Sequence, residues 1–254
     1  MVALLSCRRG NCRLAQALGH NGGSTVPVTK REFTPNQVFV GLPWKNVRPR
    51  YDKVIYALEK KFPLYFTIVG RNDAQGAEDL FEIIKQRIAT SSYAIFDATG
   101  GNANVSLEYG YAEGVEVPRA IFLSAHRASM KGGGASPIIS DLHGKRRVQY
   151  KTEKTLSLEL HKFCREHDYT KRFEKALAAA LKGKTKGAKK SGRALALKTV
   201  HALDGKAKMR RAELVQHLQA QGYAERNVEA MLKGLHSGGV VKSTVGRFSQ
   251  AYVA

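Results

Sequence analysis

The chain has 254 residues, with 42 Lys and Arg against 21 Asp and Glu, and its hydrophobic fraction of 43 % is enough for one large or two modest soluble domains. No apolar run approaches the roughly 20 residues needed to cross a bilayer, and the start is too short and wrongly charged for a signal peptide, so a cytoplasmic protein without membrane contact is expected. Cys7, Cys12 and Cys164 are odd in number and lack metal-type spacing, which argues against a disulfide framework and a bound metal.

In chain order, residues 1–35 have weak periodicity and read as a flexible N-terminal arm. From Val38 strand-like and helix-like segments alternate. Val38–Gly41 reads as a strand, Arg50–Phe62 as a helix and Leu64–Val69 as a strand. Asp79–Thr90 is an amphipathic helix with Leu80, Ile83, Ile84 and Ile88 on one stripe. Tyr93–Phe96, Asn104–Glu113 and Ala120–Leu123 follow as strand, helix and strand. This order predicts an α/β fold, a Rossmann-like parallel sheet flanked by helices. Ala128–Ala135 is a glycine-rich loop, read as a flexible connection or a cover for a site. Thr155–His167 and Lys171–Leu181 read as two further helices, closing a domain over residues 36–181.

Residues 182–193 are dense in lysine and glycine and read as a basic linker. Residues 194–254 then carry a compact pattern. Helices are expected at Ala194–Ala202, Arg211–Ala220 and Glu225–His236. Two short strands, Val240–Lys242 and Phe248–Val253, flank the turn Ser243–Arg247. Helix, helix–turn–helix and β-ribbon in this order predict a small C-terminal winged-helix domain. The net charge of +21 is concentrated here, with 15 basic and 4 acidic residues from Lys182 onward. Such a field attracts nucleic acid. On this reading Arg226, Asn227 and Lys233 face outward on the recognition helix. Lys242 and Arg247 lie on the wing, and Arg210 and Arg211 open the preceding helix.

The most informative stretch is Asp97–Gly114. A buried strand ends at Asp97, passes a Gly100-Gly101 turn, and a helix begins near Val105, capped by Asn102 or Asn104. Glu108 shares a helical face with Val105, Tyr109 and Ala112. A carboxylate among apolar neighbours is costly unless something pairs with it or uses it. Ligands of open α/β sheets collect at the carboxyl ends of strands, where this segment lies.

The stretch resembles the signature of nucleoside 2-deoxyribosyltransferase-like proteins, relatives of the TIR domain: Asp-x-Thr-Gly-x-Asn-x-Asn-Val-x-x-Glu-x-Gly-Tyr-Ala. It is carried by Asp97, Thr99, Gly100, Asn102, Asn104, Val105, Glu108, Gly110, Tyr111 and Ala112, with Ala103 where many members have proline. Val38–Trp44 is similar to the family's first strand and substrate loop, and Ser136–Tyr150 to the segment leading to its last strand. The resemblance implies an N-glycosidase or deoxyribosyltransferase, with a nucleotide or NAD as substrate and no cofactor. Glu108 would stabilise or attack the sugar C1′. Asp97 would hold the base or a ribose hydroxyl, and if protonated assist base departure. Asn104 and the backbone near Gly41 would orient sugar or phosphate, Trp44 or Tyr109 would stack on the base, Arg71 would contact phosphate, and Asn102 would belong to the same substrate-binding set. Deoxyribosyltransferases often complete a site with a neighbouring subunit, which implies a homo-oligomer.

Fused to a basic winged helix, such a domain is similar to effector proteins of bacterial retrons. The resemblance implies an antiviral-defence toxin whose nucleic-acid partner is DNA or an RNA–DNA molecule, with a reverse transcriptase. Two other readings stand beside it: a nucleotide-sensing DNA-binding regulator without catalysis, and a nucleoside-salvage transferase.

Overall fold

The computed structural model describes residues 31–44, 47–70, 80–125, 147–205 and 208–250. Five parallel strands form the central sheet: β1 (Thr34–Gly41), β2 (Tyr65–Thr67), β3 (Ser91–Asp97), β4 (Arg119–Ser124) and β5 (Arg147–Tyr150), in the order β2-β1-β3-β4-β5. β1 is buried almost end to end, because helices cover both of its faces, as the continuous apolar run Val38–Val40 requires. Helices α2 (Leu80–Ala89) and α3 (Ala103–Gly114) cover one face, where Phe39, Ala94, Phe96 and Ile121 pack on Ile88, Val105, Tyr109 and Ala112. Helices α1 (Arg48–Glu59), α4 (Glu153–Glu166) and α5 (Asp168–Ala180) cover the other. Strand order reverses between β1 and β3, which sets the crevice of a doubly wound sheet at their carboxyl ends.

The α/β expectation therefore holds. The linker expectation over 182–193 does not, because from Lys186 these residues are helical. Helix α6 spans Lys186–His201, started by the Thr185 side chain accepting from Ala188 N. Lysine and alanine tolerate a helix well, and Leu181 packs where Gly192 has no side chain.

Beyond α6 come β6 (Met209–Arg210), α7 (Arg211–Gln219), α8 (Glu225–Ser237), β7 (Val241–Thr244) and β8 (Arg247–Gln250). The three strands form an antiparallel sheet in the order β6-β8-β7. This region is not tethered: the chain from Arg31 onward is one compact unit. A continuous apolar cluster runs from Val38 and Ile95 through Leu160 and Phe173 to Leu197, Leu235 and Phe248. Buried polar bonds join it further. Asn36 Nδ2 donates to Asp204 Oδ1 at 2.6 Å, and Tyr169 OH donates to Gln250 Oε1 at 2.6 Å. Among the described residues no helix is long and apolar enough to cross a membrane, and no cluster of His, Cys, Asp and Glu is arranged to hold a metal.

Candidate active site

A cleft of about 560 Å³ opens at the β1/β3 crevice. Gly41, at the end of β1, forms its floor with Phe39 and Val40. Ile68, Val69 and Gly70, just past β2, form one wall, and Phe81 and Ile84 of α2 another. Helix α3 supplies Asn104, Val105, Leu107 and Glu108. Its start is fixed by Asn102, whose Oδ1 accepts from Asn104 N at 2.9 Å and Val105 N at 3.3 Å. Asn102 is therefore the cap, and Asn104 is left exposed at the cleft edge.

Glu108 lies one turn into α3. Its Oε2 is buried and has no hydrogen-bond partner among the described residues. Burial without compensation pushes its carboxyl up from 4.5 to about 7. The carboxylate hangs over Gly41, where a Cβ would run into Glu108 Oε2 and would stand 2.8 Å from the Phe96 ring. Glycine at the end of β1 thus makes room for the acid. Among the described cleft-lining residues Glu108 is the only titratable side chain.

Trp44 forms the outer wall. Its indole lies on Gly70, whose φ of +83° and missing Cβ admit the ring, and the Arg48 guanidinium sits 3.8 Å from its centroid. Trp44, Leu80 and Leu107 are each more than half exposed at the cleft.

Asp97 belongs elsewhere. It is fully buried and is absent from the cleft walls. Its Oδ2 accepts from Tyr51 OH at 2.9 Å and Tyr150 OH at 2.6 Å, and its Oδ1 accepts from Thr99 N at 3.0 Å. Burial raises its pKa, and the bonds from Thr99, Tyr150 and Tyr51 oppose that rise. The expected contact with a base or ribose is not available in this arrangement, because Asp97 is fully buried outside the cleft and faces protein donors. Tyr51 and Tyr150 were not anticipated by the sequence; Asp97 ties their elements, α1 and β5, to the end of β3. Tyr109 is also misplaced by the stacking expectation. It is buried edge-on against Phe96, with centroids 5.5 Å apart, and the Arg119 guanidinium lies 5.0 Å from its ring centroid. Phe81 and Leu107 line the cleft without having been expected there, and Leu80, expected only on the apolar stripe of its helix, lines it too. Arg71 and the glycine-rich loop lie outside the described residues.

In the carboxy-terminal region Arg210, Arg211, Arg226, Asn227, Lys233, Lys242 and Arg247 are all exposed. Arg211 is engaged by Glu229 through a two-point ion pair. Asn227 and Lys233, exposed on α8, also line depressions beside α5 and α6.

Fold and site together define a doubly wound α/β protein with one desolvated carboxylate in the crevice at its switch point. No family model and no curated protein matches the chain. Among solved structures it is similar to a 2-deoxyribosyltransferase from Leishmania mexicana, at 19 % identity over 52 % of this chain and 99 % of that one, with a TM-score of 0.40. It is also similar to a CMP N-glycosidase from Clostridium botulinum, at 16 % identity over 50 % of this chain and 98 % of that one, with a TM-score of 0.35. At these identities and scores neither likeness defines the reaction.

Proposed function

We propose that the protein breaks the N-glycosidic bond of a nucleotide, with Glu108 as the nucleophile. The observation that carries this reading is the unpartnered Glu108 oxygen, held over Gly41 in the cleft. In the proposed step a Glu108 oxygen attacks the sugar C1′. The C1′–O bond forms as the C1′–N bond breaks, and the bonding electrons leave with the base. Water or a second base then attacks C1′ and regenerates the carboxylate. Trp44 borders the space where the base would lie, and Asn104 reaches the sugar from the start of α3.

The absence of a second acid among the described cleft walls favours a leaving group that needs no proton. The nicotinamide of NAD is such a group, since it is cationic before the bond breaks and neutral after it. A deoxynucleotide base departs with the same bond changes but needs a proton from solvent or from elsewhere. NAD is therefore the first substrate in this proposal, and a deoxynucleotide the second.

The wider reading makes this activity the toxin of an anti-phage system. The basic carboxy-terminal region would bind DNA or an RNA–DNA molecule together with a reverse transcriptase. The exposed apolar rim of Trp44, Leu80 and Leu107 supports a homo-oligomer in which a second copy closes the cleft. NAD and a deoxynucleotide panel, incubated with the wild type and Glu108→Gln and separated by chromatography, test the reaction. Free base is expected with the wild type alone. Nucleotide binding without base release from any substrate would remove the enzymatic reading. Growth arrest on expression in a bacterium, lost in Glu108→Gln, tests the toxin role; arrest that persists in the variant would contradict it.

A further inference from the structure

We infer that a trough between α5, α6 and α8 holds a single strand of nucleic acid, gripped by Arg172, Lys175, Lys184 and Lys233. The inference rests on the nucleic-acid reading of the carboxy-terminal region and moves its contact surface away from the outer ridge of α8 and the β7–β8 hairpin. Two depressions, of about 910 Å³ and about 270 Å³, meet at Ala180 and Ala230, which line both. The first runs along α5 and α8 past Arg172, Lys175 and Lys233. The second continues between α6 and α8 past Lys184, with Tyr223 and Asn227 at its end. The described residues lining the two include four cations and no carboxylate. Lys175, Lys184 and Lys233 are exposed. None of the three has an ion-pair partner among the described residues.

Close helix packing shapes the trough. A Cβ on Gly234 would stand 2.8 Å from Ala180 Cβ, and one on Gly238 would collide with Ala176 Cβ. Small residues on both helices therefore keep the floor low while the longer basic side chains stand at its edges. A concave, cation-edged floor suits a flexible phosphodiester chain.

The alternative surface fits a polyanion less well. Helix α8 packs against α5, α6 and α7, which leaves it a limited free ridge to present to a groove. Its remaining ridge presents Glu225, Arg226, Glu229 and His236, and Glu229 is held by Arg211. Acid and base offset one another there. Among the described residues lining the trough no carboxylate offsets the four cations.

Four phosphate contacts to a single strand give a plot of log affinity against log salt with a slope of about −2.8, roughly 0.7 per contact. The test is fluorescence anisotropy of a labelled oligothymidylate over a salt series, with full-length wild type, Lys175→Glu/Lys233→Glu and Lys242→Glu/Arg247→Glu. Thermal unfolding of each checks that it is folded. The trough variant is expected to lose at least about tenfold in affinity and to flatten the slope by about 1.4, while the hairpin variant stays within about threefold of wild type. Should the reversed charges prevent folding, Lys175→Gln/Lys233→Gln gives the same flattening with a smaller loss. Loss in the hairpin variant alone overturns the trough and leaves the nucleic-acid reading standing. Wild type that binds no strand removes that reading altogether. A duplex bound as tightly through the same lysines overturns the single-strand assignment.

Discussion

Two carboxylates follow one another along the chain, at the end of β3 and in the second turn of α3, and their surroundings differ in one respect. Asp97 is buried and surrounded by donors, two tyrosine hydroxyls and a backbone amide. Glu108 is largely buried and has an oxygen without a hydrogen-bond partner among the described residues. Desolvation raises both, but only at Asp97 do hydrogen bonds oppose the rise. A satisfied buried acid holds elements together. An unsatisfied one is costly to the fold unless a substrate uses it.

The sharpest way to break this comparison is to neutralise each acid in turn. Glu108→Gln is expected to lower base release by at least about 10³-fold, at the upper part of the range seen when an acid–base or nucleophilic group is removed. The protein should remain folded. Asp97→Ala should do the reverse. It strands the Tyr51 and Tyr150 hydroxyls in the core and should cost about 3 kcal/mol of stability, read as a fall in denaturation midpoint, while the folded fraction keeps most of its turnover. Wild-type stability after Asp97→Ala would mean the tyrosine cage is not structural.

Stability against pH separates the two further. The folded Glu108 carboxyl titrates at about 7, above its unfolded 4.5. The unfolded chain therefore gives up this proton first as pH rises, and stability is lost between the two values. The difference amounts to about 3 kcal/mol. Glu108→Gln should accordingly match the wild type at pH 4 and exceed it by up to about 3 kcal/mol at pH 8, in urea titrations at each pH. Equal stability across the range would contradict an uncompensated carboxyl.

Smaller effects sharpen the geometry. Gly41→Ala places a methyl against the Glu108 carboxylate and the Phe96 ring. It should cost about 1–3 kcal/mol and reduce kcat more than it raises KM. Tyr109→Phe should leave KM within about twofold, because the ring packs on Phe96 rather than on substrate; a large rise in KM would restore the stacking role.

The alternation of apolar strands with amphipathic helices made the parallel sheet legible from the sequence, since a period of two or of 3.6 survives without coordinates. Glu108 was legible for the same reason, as a charge beside Val105, Tyr109 and Ala112. The Asp97 cage was not. Its tyrosines lie 46 and 53 residues away in sequence, and nothing local marks such a meeting. Tyr109 misled because a buried aromatic and a base-stacking one look alike on a helix. The first half of α6 was hidden by lysines and glycines that read as linker, although the Thr185 cap and the Leu181–Gly192 packing support a helix there. Gly234 and Gly238 carry no side chain to mark a role in the sequence, yet they let α8 settle on α5.

The most direct test of the Glu108 assignment is the pH dependence of kcat/KM for base release by the wild type, with Glu108→Gln beside it. A nucleophile must be ionised, so the wild-type rate should rise through about pH 7 and level off above it, with no such rise in the residual rate of the variant. A wild-type profile that is flat through neutrality, or a variant that keeps the rate, would contradict the assignment of the unpartnered carboxylate as the group that attacks the sugar.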